Sequence, residues 1–244
     1  MKYAIIAAGE GSRLAKEGIA APKPLVEVCK EKLIDRLLRI FTDNGASEIV
    51  VICNDLTKLV STHLEEVERN GLDGKKIPLR HIVKSTSSSM HSFAELSHLL
   101  GDEPFVLTTV DTIFREEEFG KYVATFSKAL ADGTADGVMG VTDYIDDESP
   151  LYVATDSEMN ITGFLDKDEE HKCTYISGGI YGLSHKAIDT LNRCMAEGQS
   201  RMRNFQRGLI IDGQKLKAYC FSKVLDIDHA TDVEKAEDFL NEKR

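Results

Sequence analysis

The chain has 244 residues and 27.1 kDa, with 30 basic and 41 acidic side chains and a net charge of −11. That length supports one or two domains with a substantial core, and the acidic excess excludes a general nucleic-acid binder, which needs a concentrated basic face. It leaves room for an anionic small molecule, because a few local cations and backbone N–H groups hold phosphate inside an acidic protein.

Lys2–Ala7 is a short apolar run that leads into glycines, the pattern of a buried strand. Ile34, Leu37, Leu38 and Phe41 recur at helical spacing, and Asn44-Gly45 closes that helix. Glu48–Cys53 predicts a second buried strand, followed by a helix over Leu56–Asn70 with Leu59, Val60, Leu64 and Val67 on one face. Leu79–Lys84 is expected as a third strand and Met90–Leu100 as a helix with Phe93, Leu96 and Leu100 inward. Phe105–Thr109 then reads as a fourth strand running into Val110-Asp111, and Glu116–Ala131 as another helix. Such alternation predicts an α/β fold with a Rossmann-like, mostly parallel sheet covered by helices on both faces. Ligands in these sheets bind outside the carboxyl ends of the strands, which directs attention to the residues after Ala7, Lys84 and Thr109.

From Asp136 the pattern becomes β-rich. Short strands are expected at Gly137–Thr142, Leu151–Thr155, Ile161–Leu165 and Thr174–Leu183. Helices follow at His185–Glu197 and Met202–Ile211, then a strand at Leu216–Phe221. A last helix is expected to open on a capping box at Thr231-Asp232-Val233-Glu234. No repeat or linker divides the chain, so 1–244 reads as one domain with a small β-rich lobe grafted onto its second half. No apolar run approaches the ~20 residues of a membrane span, and the opening Met1–Ile6 is too short for a secretory signal. A cytoplasmic protein is expected. The five scattered cysteines include no Cys-x-x-Cys pair and read as reduced thiols.

The loop after the first strand, Ala7-Ala8-Gly9-Glu10-Gly11-Ser12-Arg13, carries most of the functional information. Two glycines there let the backbone approach a ligand, and successive N–H groups can cradle phosphate oxygens. A nucleotide P-loop would end in Gly-Lys-Ser/Thr, and Gly11-Ser12-Arg13 lacks that lysine. A dinucleotide fingerprint would need a third Gly or Ala where Leu14 stands. Ten residues after Arg13 comes Pro22-Lys23-Pro24-Leu25, a lysine pinned between two prolines on a stiff segment. A fixed point charge beside a glycine loop suits phosphate.

Together, Ala7-Ala8-Gly9-Glu10-Gly11-Ser12-Arg13-Leu14 and Pro22-Lys23-Pro24-Leu25 resemble the nucleotide-sugar pyrophosphorylase family, which joins a nucleoside triphosphate to a sugar 1-phosphate. The likeness continues in order through Val110-Asp111, Asp166-Lys167-Asp168, Ser177-Gly178-Gly179-Ile180-Tyr181 and Asp226-Ile227-Asp228-His229-Ala230-Thr231-Asp232. It implies a GT-A-like nucleotidyltransferase fold, with a nucleotide-binding half over 1–135 and an acceptor-binding half over 136–244. It also implies Mg²⁺ held by Asp111 and by Asp226 or Asp228, with Asp226 favoured, and Arg13, Lys23 and Lys167 as the catalytic cations. Ala7, Ala8, Gly9, Gly11 and Ser12 would line the triphosphate, while Gly178 and Gly179 would join Lys167 at the acceptor. Thr86, Ser87 and Ser88 follow the third strand, where the family reads the base. Ser88 or Ser89 also suits a helix N-cap.

Each residue has a plainer alternative. Asp111 can cap a turn, and Lys167 sits in the charged run Asp166–Lys172, which suits a solvated loop. The Ser/Thr-rich segment is closer to small cytidylyltransferases acting on phosphocholine, which gives an alternative acceptor. A catalytically silent nucleotide-binding homologue is a further alternative. The chain ends at Arg244, so no C-terminal left-handed β-helix and no acyltransferase activity is expected. The expected partners are an NTP and a phosphorylated acceptor, with a homodimer also possible through exposed helices.

Overall fold

A computed structural model of the chain describes residues 1–146, 148–170 and 172–242. His171 of the charged run and the terminal Arg244 lie outside the described residues. The first half contains β1 (Lys2–Ala7), α1 (Ser12–Lys16), β2 (Glu27–Val28), β3 (Glu31–Lys32), α2 (Leu33–Asp43) and β4 (Glu48–Cys53). It continues with α3 (Lys58–Asn70), β5 (Leu79–Val83), α4 (Ser89–Leu100), β6 (Phe105–Thr109), β7 (Thr112–Ile113) and α5 (Glu116–Ala131). The second half has β8 (Gly137–Thr142), β9 (Tyr152–Thr155), β10 (Ile161–Leu165) and β11 (Tyr175–Leu183). After them come α6 (Lys186–Ala196), α7 (Met202–Ile211), β12 (Leu216–Cys220), β13 (Leu225–Asp226) and α8 (Ala230–Asn241).

The central strands β1 and β4 are buried on both faces, which is why they read as unbroken apolar runs. Alternation along β1 sends Tyr3, Ile5 and Ala7 into one layer and Ala4 and Ile6 into the other. On the first face Tyr3 stacks on Phe41 at 4.6 Å and Phe41 on Phe119 at 5.3 Å, joining β1 to α2 and α5. On the second, Phe93 of α4 meets Phe205 of α7 edge-on at 5.3 Å. Such ring pairs add about 0.5–1.5 kcal/mol each beyond the area they bury.

The main sheet runs β10-β9-β11-β6-β1-β4-β5, with β8 on β11 and β12 on β8. β1 pairs in parallel with β4 from Lys2↔Glu48 to Ala7↔Cys53 and with β6 from Lys2↔Phe105 to Ile6↔Thr109. All three therefore end at one edge, where their loops converge. The β-rich second half is joined to this parallel core through β11, which runs antiparallel to β6, β8 and β9.

Two local expectations are corrected. The helix after β4 starts at Lys58, because the Thr57 hydroxyl accepts the Leu59 N–H at 3.2 Å and caps it there. Leu59 consequently faces out, 60% exposed, and Val60, Leu64 and Val67 form the buried face. The final helix opens at Ala230, one residue before Thr231: the Asp232 carboxylate accepts the N–H groups of Asp228 at 3.1 Å and His229 at 2.8 Å. The five cysteines are free, as expected.

Candidate active site

The glycine loop leaves β1 at the carboxyl edge of the sheet and turns at Gly11, whose φ of 62° is left-handed. A Cβ there would lie 3.0 Å from Lys23 Cβ, so the glycine lets the two segments touch. From the neighbouring strand, the Asn54 side-chain amide donates to the carbonyls of Ala8 and Gly9, both at 3.2 Å. Asn54 gave no signal in the sequence, being a lone polar residue at a strand end.

Pro22 is extended and Lys23–Leu25 make one 3₁₀ turn with Pro24 buried, so the lysine stem is fixed. Its ammonium, with the side chain only 10% exposed, lies 2.7 Å from Asp111 Oδ2 and 2.7 Å from Asp228 Oδ1. The other oxygen of Asp228 is 2.9 Å from Arg13 Nη1. Burial opposes the charge on Lys23, but attraction to Asp111 and hydrogen bonds to both carboxylates outweigh it, and its pKa rises. Burial likewise opposes ionisation of Asp228, and Lys23, Arg13 and His229 overcome it to lower its pKa.

Three contacts assemble this cluster from distant segments. The Val110 N–H donates to Ile6 carbonyl oxygen at 3.0 Å, carrying Asp111 alongside the end of β1. β7 and β13 pair through Leu225↔Ile113 and Asp226↔Thr112, and the Ile227 N–H donates to Asp111 carbonyl oxygen at 3.1 Å. Glu17, after α1, accepts from Ala230 N–H at 2.7 Å and pairs with His229 Nδ1 at 2.6 Å, anchoring the start of α8. Of the two late aspartates, Asp228 thus stands between Lys23 and Arg13, while Asp226 lies opposite Thr112 in β13.

Beside the cluster lies a cavity of about 390 Å³, lined among others by Arg13, Ser177, Gly178, Asp226, Asp228 and Tyr144. Its floor includes a bulge in β11, where register shifts between Ser177 and Ile180 and Gly179 takes φ +68°. A Cβ at Gly178 would sit 3.1 Å from Val224 Cγ2, so a larger residue would crowd that floor.

Lys167 is placed elsewhere. It is exposed and lines a different cavity with Ala154, Thr155 and Leu165, and among the described residues the two cavities share none. Its neighbour Asp166 turns to α7, 2.5 Å from Arg203 Nη1 and 2.7 Å from Arg207 Nη2. Arg203 also donates to the carbonyl of Ser149, at the rim of the first cavity, at 3.1 Å. Sequence reading missed Arg203 because nothing local distinguishes it from a surface helix arginine.

In the Ser/Thr-rich loop most hydroxyls have partners within the protein. Ser85 bonds Asp55, Thr86 bonds Ser92 at 2.6 Å, and Ser88 caps α4 while bonding His91 Nδ1 at 2.8 Å. Ser87 is exposed at the tip.

The donor set fits a divalent ion. Two carboxylate oxygens from different strand ends converge on one cationic atom, as a hard cation requires, and Mg²⁺ takes one or two protein carboxylates before completing its shell with phosphate and water. Among the described residues there is no group of three or more acids, histidines or cysteines that would hold a metal unaided.

A glycine loop, a lysine with little exposed surface and paired carboxylates gather at the carboxyl edge of the parallel strands of an α/β fold, the edge where such sheets bind ligands. The model of the nucleotidyl transferase family matches residues 2–243, and the chain belongs to that family. Among curated relatives it is 24% identical over 233 residues to the bifunctional protein GlmU of Alkaliphilus metalliredigens, covering 93% of this chain and 48% of that one. It is 26% identical to UTP–glucose-1-phosphate uridylyltransferase AglF of Haloferax volcanii, over 74% of this chain and 71% of that one. The chain spans about half the length of the first of these, 48%. In fold it is similar to the crystal structure of a putative glucose-1-phosphate thymidylyltransferase from Bacillus anthracis, with TM-score 0.82, 18% identity and coverage of 100% and 96%. It is also similar to the inositol-1-phosphate CTP transferase of T. maritima, with TM-score 0.75, 17% identity and coverage of 99% and 96%. Among the described residues no helix is long and apolar enough to cross a membrane.

Proposed function

We propose that the protein transfers a nucleotidyl group from an NTP to a phosphorylated acceptor, a sugar 1-phosphate, in a Mg²⁺-dependent reaction that releases pyrophosphate. The observation that carries this reading is the Lys23 ammonium held between Asp111 and Asp228, with Arg13 on the far side of Asp228, against the glycine loop. An oxygen of the acceptor phosphate attacks the α-phosphorus, and the bond from that phosphorus to the pyrophosphate oxygen breaks. Such transfer is mainly positioning and charge stabilisation. Backbone N–H groups of the loop from Ala8 to Ser12 cradle the triphosphate, and Arg13 forks onto the departing pyrophosphate. Lys23 neutralises charge that grows on the α-phosphate.

Asp111 and Asp228 would hold the Mg²⁺, which supplies charge neutralisation at the phosphates. Asp226 is assigned to the wall of the acceptor cavity, although the sequence favoured it as the metal ligand. The acceptor lies in that cavity over Ser177 and Gly178. Lys167 lines a separate cavity among Asp168, Glu169 and Glu170 and is assigned no step. Bases are read at the loop from Thr86 to Ser88, where Ser87 and backbone groups are the available contacts.

One observation favours a second reading of the acceptor. Tyr144 and Glu148 line the cavity, and the Tyr144 ring already carries a cation, Lys223 Nζ at 4.2 Å from its centre, while Lys235 holds Asp146 at 2.8 Å; a ring that takes a cation suits a phospho-alcohol carrying a quaternary ammonium, such as phosphocholine. The test is pyrophosphate release with Mg²⁺ over ATP, CTP, GTP and UTP against sugar 1-phosphates and phosphocholine. Turnover with one sugar 1-phosphate supports the first reading and turnover with phosphocholine the second. Nucleotide binding with a silent grid would point to a non-catalytic homologue.

A further inference from the structure

We infer that the Lys23 ammonium and the divalent ion compete for the same carboxylate oxygens, so that metal binding and delivery of Lys23 to the triphosphate are a single exchange. This rests on the metal-dependent reading above. Lys23 Nζ is 2.7 Å from one oxygen of Asp111 and 2.7 Å from one oxygen of Asp228. The second oxygen of Asp228 is taken by Arg13 at 2.9 Å. Both oxygens of Asp228 are therefore engaged by cations of the chain itself. A Mg²⁺ ion binds its oxygens at about 2.0–2.1 Å, so an ion bridging Asp111 and Asp228 on this side would fall within the space of the ammonium. Two cations at that separation in a partly buried site repel strongly.

The exchange has a direction. Without nucleotide, Lys23 is the counter-ion that lets two aspartates from different segments stand together at a strand end. A bound triphosphate offers the ammonium a new set of oxygens close by, since the lysine stem already packs against Gly11 of the loop. Lys23 then leaves the carboxylates as the divalent ion takes them. The coupling is reciprocal: nucleotide raises metal affinity by the factor by which metal raises nucleotide affinity. Lys23 thus has two duties, one in the resting protein and one at the α-phosphate.

The test is Mn²⁺ binding to the nucleotide-free protein, read from loss of the free-ion EPR signal. Lys23→Ala is expected to bind Mn²⁺ at least tenfold more tightly than wild type, even as it loses transfer activity. Lys23→Gln, which keeps the bulk but not the charge, is expected to tighten binding as well and covers the case in which the smaller variant folds poorly. Adding Asp228→Asn to either variant is expected to remove the gain. Wild-type or weaker Mn²⁺ affinity in both folded Lys23 variants would overturn the exchange, as would no Mn²⁺ binding in any of the proteins. The two failures are distinguishable: unchanged affinities with an active wild type sink the exchange alone, whereas tightened affinities with a wild type silent on every substrate pair sink the transfer reading alone.

Discussion

Gly11 and Lys23 are in contact across the loop: an alanine Cβ at position 11 would lie 3.0 Å from the lysine Cβ. The left-handed φ of 62° adds strain for any L side chain. Gly11→Ala is expected to cost about 1–2 kcal/mol of stability and to shift the ammonium out of line. Transfer should fall at least tenfold, measured as kcat/KM for the nucleotide, with a small fall in Tm. Unchanged turnover would mean that the contact does not position the lysine.

Asp228 and Asp226 are separated by one residue and have different surroundings. Asp228→Asn removes a carboxylate placed between two cations, and is expected to lower kcat by about 10²–10³, the usual loss for one charge-stabilising group. Asp226→Asn should act mainly on the KM of the acceptor. Kinetics of both variants over a Mg²⁺ titration check this, and a larger kcat loss from Asp226→Asn would reverse the assignment.

Asn54 ties the glycine loop to the next strand through the carbonyls of Ala8 and Gly9. Each such bond is worth about 1 kcal/mol net. Asn54→Ala should therefore raise the nucleotide KM about 3–10-fold and leave the acceptor KM alone.

Glu116, at the start of α5, is held by Arg39 of α2 through contacts of 2.7 and 2.9 Å. The hydrogen bonds to Arg39 keep its carboxyl below the ordinary value of 4.5. A depressed folded pKa contributes stability that is present above the unfolded value and lost as pH falls through the folded one. Glu116→Gln should be less stable than wild type by about 0.5–1 kcal/mol at pH 7, solvent exposure limiting the effect. The gap should close as pH drops below about 4. Urea denaturation at pH 7 and at pH 3.5 measures it.

Much of the fold is legible in the sequence because its strands are buried and uninterrupted. β1, β4 and β6 fall where their apolar runs predict, as do α5 and α7. The short pieces are not legible. The β2–β3 hairpin turns on Cys29 and Lys30, both at positive φ, with no glycine or asparagine to announce it. β7 and β13 are two residues each, too short for any periodicity, although their pairing is what carries the late aspartates to Asp111. The glycine loop, Arg13 and Lys23 were legible as a local pattern, and the structure brings Arg13 and Lys23 together on Asp228. Which late aspartate meets them depends on a tertiary contact that sequence spacing does not encode. The same is true of Arg203, which reaches the cavity rim only through the packing of α7 against β10.

The most direct test of nucleotidyl transfer at the Lys23 centre follows the α-phosphorus itself. NTPs labelled with ³²P at the α-phosphate are incubated with Mg²⁺ and each candidate acceptor, using wild-type protein and Lys23→Ala. The expected result is label in an acceptor-linked nucleotide, matched by unlabelled pyrophosphate, from wild type and at least 10²-fold less from the variant. Label that stays in the NTP for every acceptor, or equal transfer by the two proteins, would contradict the assignment.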